Sequence, residues 1–366
     1  MIAVGIATFN EAENLAALVK KIDAYAITIG EPVTIINCDN SSPDGTAKIF
    51  QGIKTTNPKI SLSTSQTGKG RNVRTILECV VKLGFTYCML IDGDVTSLER
   101  SWLESHVAAA KLNIDFVVPN YSRYMHEGNT TNHLLYPLLF YLTAGNVPRQ
   151  PIAGDFGIAR AFALYLCSLP WSGATLRYGV DVFMTMQALF GSFTVQEIAL
   201  PKKIHKPSFE KMIGIATDEM ESYYQARAVL QSTQPIRFTP STTDWTLLDS
   251  PGIDDYKLQA RRTEAKELQI ISGTPFSDQY PKLPEKLSAT EWADILLLHE
   301  QHVGDYSANM LARSICPFYL IRVVTYLESI RNAADAVSSI NDQTAIIKKT
   351  LGSLRHPLHQ RPRISK

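Results

Sequence analysis

Cysteine is scarce: five in 366 residues (Cys38, Cys79, Cys88, Cys167 and Cys316), an odd number with no C-x-x-C spacing. That excludes a disulfide framework and a cysteine zinc cluster, and it points to a reducing compartment. Long apolar runs are also missing. The longest, 134–142 and 316–324, are interrupted by Pro137, Pro317 and Arg322, and neither reaches the roughly 18–20 residues of a membrane span. The N-terminus, MIAVGIATFNEAENL, lacks the basic start and small-residue cleavage site of a signal peptide. Net charge is nearly absent: 36 Lys plus Arg against 35 Asp plus Glu give +1. A nucleic-acid binder usually carries a clearly basic face. No internal repeat or low-complexity tract occurs. What these absences leave is the expectation of a soluble cytoplasmic enzyme.

What is present suits a packed globular chain: 45% hydrophobic and 19% charged residues, enough to bury a sizeable core. The first 200 residues alternate short β-branched runs with helical patterns. Strands are expected over 2–7, 33–38, 60–64, 87–92, 116–119 and 194–200, and helices over 11–26, 43–54 and 72–83. In the first helix Leu15, Leu18, Val19 and Ile22 recur at helical spacing. Such alternation predicts an α/β fold, with a mostly parallel sheet covered by helices on both faces. Past residue 208 the patterns turn helical, over 208–231, 256–271, 289–301 and 306–331, with a Ser-, Thr-, Pro- and Asp-rich loop at 232–255. Pro317 is expected to kink or break the fourth of these helices. The organisation expected is a catalytic α/β domain over 1–210, a helical C-terminal region over 211–347 packed on it, and a basic tail over 348–366.

Ligands of parallel sheets sit at the carboxyl ends of the strands, which directs attention to Thr8–Glu11, Asp39 and Asp92–Asp94. The strongest local signal is Leu90-Ile91-Asp92-Gly93-Asp94. Two carboxylates at i and i+2 on a strand tip can lean toward one divalent cation, and hard oxygens suit Mg²⁺ or Mn²⁺. Taken alone, this motif is also an ordinary polar strand end. Three more segments accompany it: Thr8-Phe9-Asn10-Glu11, then Asp39-Asn40-Ser41-Ser42-Pro43-Asp44-Gly45-Thr46, then Gly68-Lys69-Gly70-Arg71-Asn72 at a helix start. Backbone donors and a lysine there could hold an anion.

In order and spacing this set resembles the nucleotide-binding half of GT-A-fold glycosyltransferases. The segment Arg149-Gln150-Pro151-Ile152-Ala153-Gly154-Asp155 is similar to the Q-P-x-x-G-E/D run of the mannosylglycerate synthase and glucosyl-3-phosphoglycerate synthase families. Val95-Thr96-Ser97, Tyr178-Gly179-Val180-Asp181 and Lys203-Ile204-His205-Lys206 resemble their later segments, so the likeness spans roughly 2–225. It implies a nucleotide-sugar donor, GDP- or UDP-linked, contacted by Thr8, Asn10, Glu11, Asp39, Lys69, Asp92 and Gly93. It implies a divalent cation (Mg²⁺ or Mn²⁺) on Asp94 and His205, with Asp92 beside it. It implies a small acidic acceptor such as glycerate or 3-phosphoglycerate, held by Arg123, Thr131 and Gly154. Arginine suits a carboxylate or phosphate because it can donate two parallel hydrogen bonds; Arg123 and Thr131 also read as a surface arginine and a helix cap. Both families retain anomeric configuration. Asp181 and Asp155 are the candidate catalytic carboxylates, with Lys69, Lys203 and Lys206 as helpers for the leaving diphosphate.

Rival readings remain on the sequence. An inverting family-2-like transferase acting on a polyprenyl phosphate or glycan shares the N-terminal motifs, and it would need Asp155 as its base. A sugar nucleotidyltransferase would carry a glycine-rich basic loop after the first strand, which Thr8–Glu11 is not. A non-catalytic nucleotide-sugar-binding protein is the third, and the helical half is a candidate homo-oligomer interface in any of them. The neutral total also conceals a division. Residues 348–366 hold six basic residues and no acid, which leaves −5 over the rest of a chain totalling +1. Within that acidic body, Lys202, Lys203, Lys206 and Lys211 surround His205.

Overall fold

The β-branched runs of the first 200 residues do pair into one sheet. The computed structural model describes residues 1–207, 209–230, 235–272, 275–276 and 278–354. Its strands are β1 (Ile2–Thr8), β2 (Val33–Asp39), β3 (Lys59–Ser63), β4 (Tyr87–Asp92), β5 (Phe116–Tyr121), β6 (Arg123–Tyr124), β7 (Gly157–Ala159), β8 (Thr194–Leu200), β9 (Arg237–Thr239) and β10 (Leu247–Leu248). The helices are α1 (Leu15–Ile29), α2 (Thr46–Gly52), α3 (Lys69–Leu83), α4 (Arg100–Lys111), α5 (Tyr136–Leu142), α6 (Arg160–Ser168), α7 (Val180–Phe190), α8 (Met212–Val229), α9 (Asp255–Ser272), α10 (Ala289–Gln301), α11 (Ala308–Ser329) and α12 (Ala333–Leu351). Eight strands form the sheet in the order β3-β2-β1-β4-β7-β5-β8-β9. Among the described strands of this sheet only β7 runs antiparallel to its neighbours; β6 and β10 pair separately. Strands β1, β2 and β4 are buried almost throughout, as expected of parallel strands covered on both faces.

Several element boundaries shift for local reasons. Helix α1 starts at Leu15 rather than 11, because the Glu11 carbonyl accepts the amides of Asn14 and Leu15 in a turn. Helix α3 starts three residues earlier than its apolar pattern, because Gly70 and Arg71 donate to the carbonyls of Arg177 and Leu176. Pro317 does not break α11, which runs unbroken from Ala308 to Ser329. Its residues from Leu311 to Tyr326 are largely buried, and packing on all sides outweighs one missing ladder bond. By length and composition α11 could cross a membrane, yet 78% of its apolar stretch is buried inside the fold. Helix α12 was not expected. It buries Ala336, Ile340, Ile347 and Leu351 along one side, and its N-terminus is capped by the Asn332 side chain. Lys348 and Lys349 therefore belong to its last turn and not to a tail; residues 355–366 lie outside the described residues.

One contiguous core runs from Ile6, Ile36 and Leu90 in the sheet to Leu296, Phe318 and Leu320 in the helical region. The two halves are also joined through Trp292 of α10, which is fully buried and donates its indole N–H to the His133 carbonyl at 2.8 Å. His133 lies in a π-helical turn, Thr131–Leu135, that leads into α5. Trp292→Ala should therefore lower global stability by about 3–5 kcal/mol, read from the chemical-denaturation midpoint. A change below about 1 kcal/mol would show that the helical half is only loosely docked.

Candidate active site

Parallel pairing brings the ends of β1, β2 and β4 to one edge, with Thr8 opposite Asp39 and Ala7 opposite Asp92. There Asp39 accepts the Ser42 amide at 2.7 Å and the Ser42 hydroxyl at 2.6 Å. The Thr8 hydroxyl completes its set at 3.1 Å. Asp39 thus pins the turn after β2. Asn10, at φ 59°, donates its amide to Ser42 Oγ. Its carbonyl accepts from Lys206 Nζ at 3.0 Å, and Lys206 also pairs with Glu11 at 2.8 Å.

The centre of the edge is an enclosed ion cluster. Lys69 Nζ lies 3.0 Å from Asp92 Oδ1 and 2.9 Å from Asp181 Oδ2. Lys203 Nζ lies 2.9 Å from Asp92 Oδ2 and 2.5 Å from Asp155 Oδ2. Asp155 also accepts the Asp92 amide at 2.7 Å and the Tyr121 hydroxyl at 2.8 Å. Burial alone would raise all three acids. For Asp92 the two lysines outweigh it and hold the carboxyl well below the usual range. Asp155 and Asp181 stay above the usual range, because burial exceeds the pull of Lys203 and Lys69 respectively. Two glycines make room for the cluster. Gly154 has φ +92°, and a Cβ there would strike Asp92 Oδ2 and Lys69 Nζ; a Cβ on Gly93 would come within 2.7 Å of Thr8 and 2.9 Å of the Ala7 carbonyl.

This geometry revises three expectations. Asp92, expected beside the metal, has both oxygens taken by lysines. Asp155, expected as a catalytic group, is 0% exposed and fully engaged, so it organises the cluster. Lys203, expected as a free helper, is 3% exposed and holds Asp92 and Asp155 together. Asp181 differs: among the described residues its Oδ1 is buried without a partner.

Asp94 and His205 fall on adjacent segments. The Thr96 amide donates to the Ile204 carbonyl at 3.0 Å, and the Ile204 amide donates to Ser97 Oγ at 2.8 Å. Burial, together with the charges of Asp92, Glu11 and Asp155, pushes the Asp94 carboxyl up to about 6. Burial, with Lys203 and Arg123, lowers His205 to about 4, so its imidazole is neutral at pH 7. Its Nδ1 lies 2.7 Å from the Lys206 carbonyl. A carbonyl can only accept, so Nδ1 carries the proton and Nε2 keeps its lone pair, the tautomer of a metal ligand. Among the described residues no three His, Cys, Asp or Glu side chains form a ready cage. Asp94 and His205 remain the candidate ligands, and a cation held by them would need further oxygens from a ligand.

Arg123 and Thr131 do come together, lining one narrow recess with Asn132, Gln150, Trp245 and Leu247. Arg123 Nε donates to Gln150 Oε1 at 2.8 Å, and its Nη1 lies 3.4 Å from His205 Nε2. A guanidinium N–H can only donate, so in this structure Arg123 faces the Nε2 lone pair that a cation would need. Gly154 lies on the ion cluster rather than in the recess. Sequence reasoning missed Trp245 and Leu247, which sit in a stretch that reads as a featureless loop. They are placed by the pairing of β10 with β6, and the Arg149 guanidinium stacks 3.6 Å from the Trp245 ring centre. Buried His106, His133 and His299 bond within the core, as expected of structural histidines.

Residues 3–167 match the family model described as Glycosyl transferase family 2. No curated protein matches the chain in sequence. Among solved structures, the chain resembles glucosyl-3-phosphoglycerate synthase from Mycobacterium tuberculosis in several complexes. The complex with Mn²⁺, UDP-glucose and phosphoglyceric acid is 19% identical, with a TM-score of 0.50 over 62% of this chain and 79% of that one. The complex with phosphoglyceric acid alone is 18% identical, with the same TM-score and coverage. The complex with Mn²⁺, UDP-glucose and glycerol 3-phosphate gives the same values again. At these identities the likeness concerns the fold. The sheet topology and the family-model match over residues 3–167 together give the chain a GT-A-like fold, similar to that of glucosyl-3-phosphoglycerate synthase.

Proposed function

We propose that the chain transfers a hexose from a UDP- or GDP-sugar to a small acidic acceptor such as glycerate or 3-phosphoglycerate, with a divalent cation and with retention of configuration. The observation that carries this reading is that the segments of Asp94 and His205 are joined at the strand edge beside Arg123, which would offer a carboxylate and an imidazole to a cation and a guanidinium to an acid once Arg123 turns from His205. The similar structures hold UDP-glucose, Mn²⁺ and phosphoglyceric acid, and that chemistry fits the residues present. Five unpaired cysteines accord with a reducing, cytoplasmic location.

Asp94 and neutral His205 would hold Mg²⁺ or Mn²⁺. When bound, the cation supplies Lewis-acid stabilisation of charge on the leaving diphosphate. Lys69 and Lys203 fix Asp92 and Asp181 around the donor. The buried, unpartnered Oδ1 of Asp181 would face a sugar hydroxyl or positive charge at the anomeric carbon once the donor is seated. Arg123 and Thr131 orient the acceptor acid. The acceptor oxygen bonds to the anomeric carbon as its bond to the phosphate oxygen breaks on the same face, and the departing phosphate oxygen takes the acceptor proton. Asp155 is enclosed and paired, which disfavours the inverting reading that needs it as a base.

The direct test is a matrix of UDP- and GDP-sugars against small hydroxy acids with Mg²⁺ or Mn²⁺, following nucleoside diphosphate release. Acceptor-dependent release is expected; release only from a lipid phosphate or glycan acceptor would overturn the reading. Asp94→Ala should abolish cation-dependent release in a folded protein, and full activity would remove Asp94 as a ligand. Asp181→Asn should lower kcat by roughly 100-fold with a smaller change in donor KM, and unchanged kcat would remove Asp181 from the reaction. Asp94 also carries a stability signature. Its folded pKa, about 6, lies above the ordinary value of 3.8, so its ionisation opposes folding as pH rises between those values. In EDTA, Asp94→Asn should exceed wild type by up to about 3 kcal/mol at pH 7 and match it below pH 4. Equal stability at both pH values would contradict the crowding of carboxylates around Asp94.

A further inference from the structure

Helix α7 begins at Val180 behind Gly179, which has no side chain to cap it. Its first amides are orphans unless something outside the helix accepts them. Glu219, on α8, does so: its Oε2 accepts the Val182 amide at 3.1 Å. The preceding turn is bound to the same face of α8. Asp218 takes Arg177 through both oxygens, at 2.6 and 3.1 Å, and Thr175 Oγ1 lies 3.2 Å from Ser222 Oγ. On its other side that turn accepts the amides of Gly70 and Arg71 at the start of α3. A chain of fixed contacts thus runs from α8 through the turn at 175–182 to Lys69. Asp181 sits between Val180 and Val182, with one oxygen on Lys69 and the other without a partner.

We propose that Glu219 is the positioning residue for Asp181, capping α7 from a neighbouring helix so that the free oxygen of Asp181 is held toward the donor sugar. The inference rests on the proposed transfer reaction. It also makes the helical region part of the active site, since the cap comes from α8. Glu219 is 1% exposed, and burial with the adjacent Asp181 keeps its carboxyl well above the ordinary range. A glutamine, neutral and of the same shape, can therefore replace it as acceptor. A methionine fills the space but leaves the Val182 amide unpaired.

The test compares Glu219→Gln, Glu219→Met, Asp181→Asn and the double variant Asp181→Asn/Glu219→Met, with UDP-glucose and 3-phosphoglycerate as probes. Glu219→Met should lower kcat by about 10-fold to 100-fold with little change in UDP-glucose KM, and Glu219→Gln should restore most of the loss. The double variant should be no slower than Asp181→Asn, since both act through one group. Independent, multiplying losses, or a Glu219→Met enzyme as fast as wild type, would overturn the proposal. If wild type releases no UDP with these probes, the transfer reading fails, and the cap is judged from unfolding midpoints alone. Glu219→Met less stable than Glu219→Gln then supports it, and equal stability overturns it.

Discussion

Everything at the strand edge depends on one buried electrostatic arrangement: two lysines shared among three carboxylates. Asp92 bridges Lys69 and Lys203, and each lysine then reaches a further acid, Asp181 or Asp155. Lys203 is nearly buried, Lys69 is largely so, and Asp155 is wholly enclosed. Removing any one member would leave a buried charge unpaired, which is far more costly than the net contribution of an intact pair. The arrangement ties together segments remote in sequence, from the start of α3, the ends of β4 and β8, the turn before β7 and the start of α7. It also leaves one charge uncompensated, and the elevated Asp94 beside it is where a cation would be most strongly favoured.

The helical half is part of this construction. Its core is continuous with that of the sheet, and α8 grips the turn carrying Asp181. On the acceptor side, β10 lies along β6 and brings Trp245 against the recess. Most of the strand-edge cluster thus comes from the first 206 residues, whereas the grip on the Asp181 turn and one wall of the recess come from the second half. The family model matches residues 3–167, and the site extends beyond them.

Strands β1, β2, β4 and β5 were legible because their runs are buried on both faces; β4, β8 and α10 fall at the residues their patterns predict. The motif residues at their carboxyl ends do converge, as the strand-end rule requires. Partnerships were not legible. Nothing local distinguishes Lys203, buried between two acids, from Lys202, which lies over the Tyr124 ring. Asp155 reads as a free acid in sequence because the lysine and tyrosine that enclose it lie 48 and 34 residues away. Pro317 misled because its local cost is offset by the burial of the helix around it. Trp245 was hidden in a loop whose conformation is set by pairing with β6. Glu219 lies in a helix of weak amphipathicity with no motif.

We propose that hexose transfer proceeds on the face vacated by the leaving phosphate, with Asp155 enclosed and paired and so not placed to act as a base. The most direct measurement is the anomeric configuration, by proton NMR, of the product formed from an α-linked nucleotide sugar with Mn²⁺ present. An α-linked product is expected. A β-linked product would contradict it, since it would require an ionised, accessible base where the structure holds Asp155 enclosed.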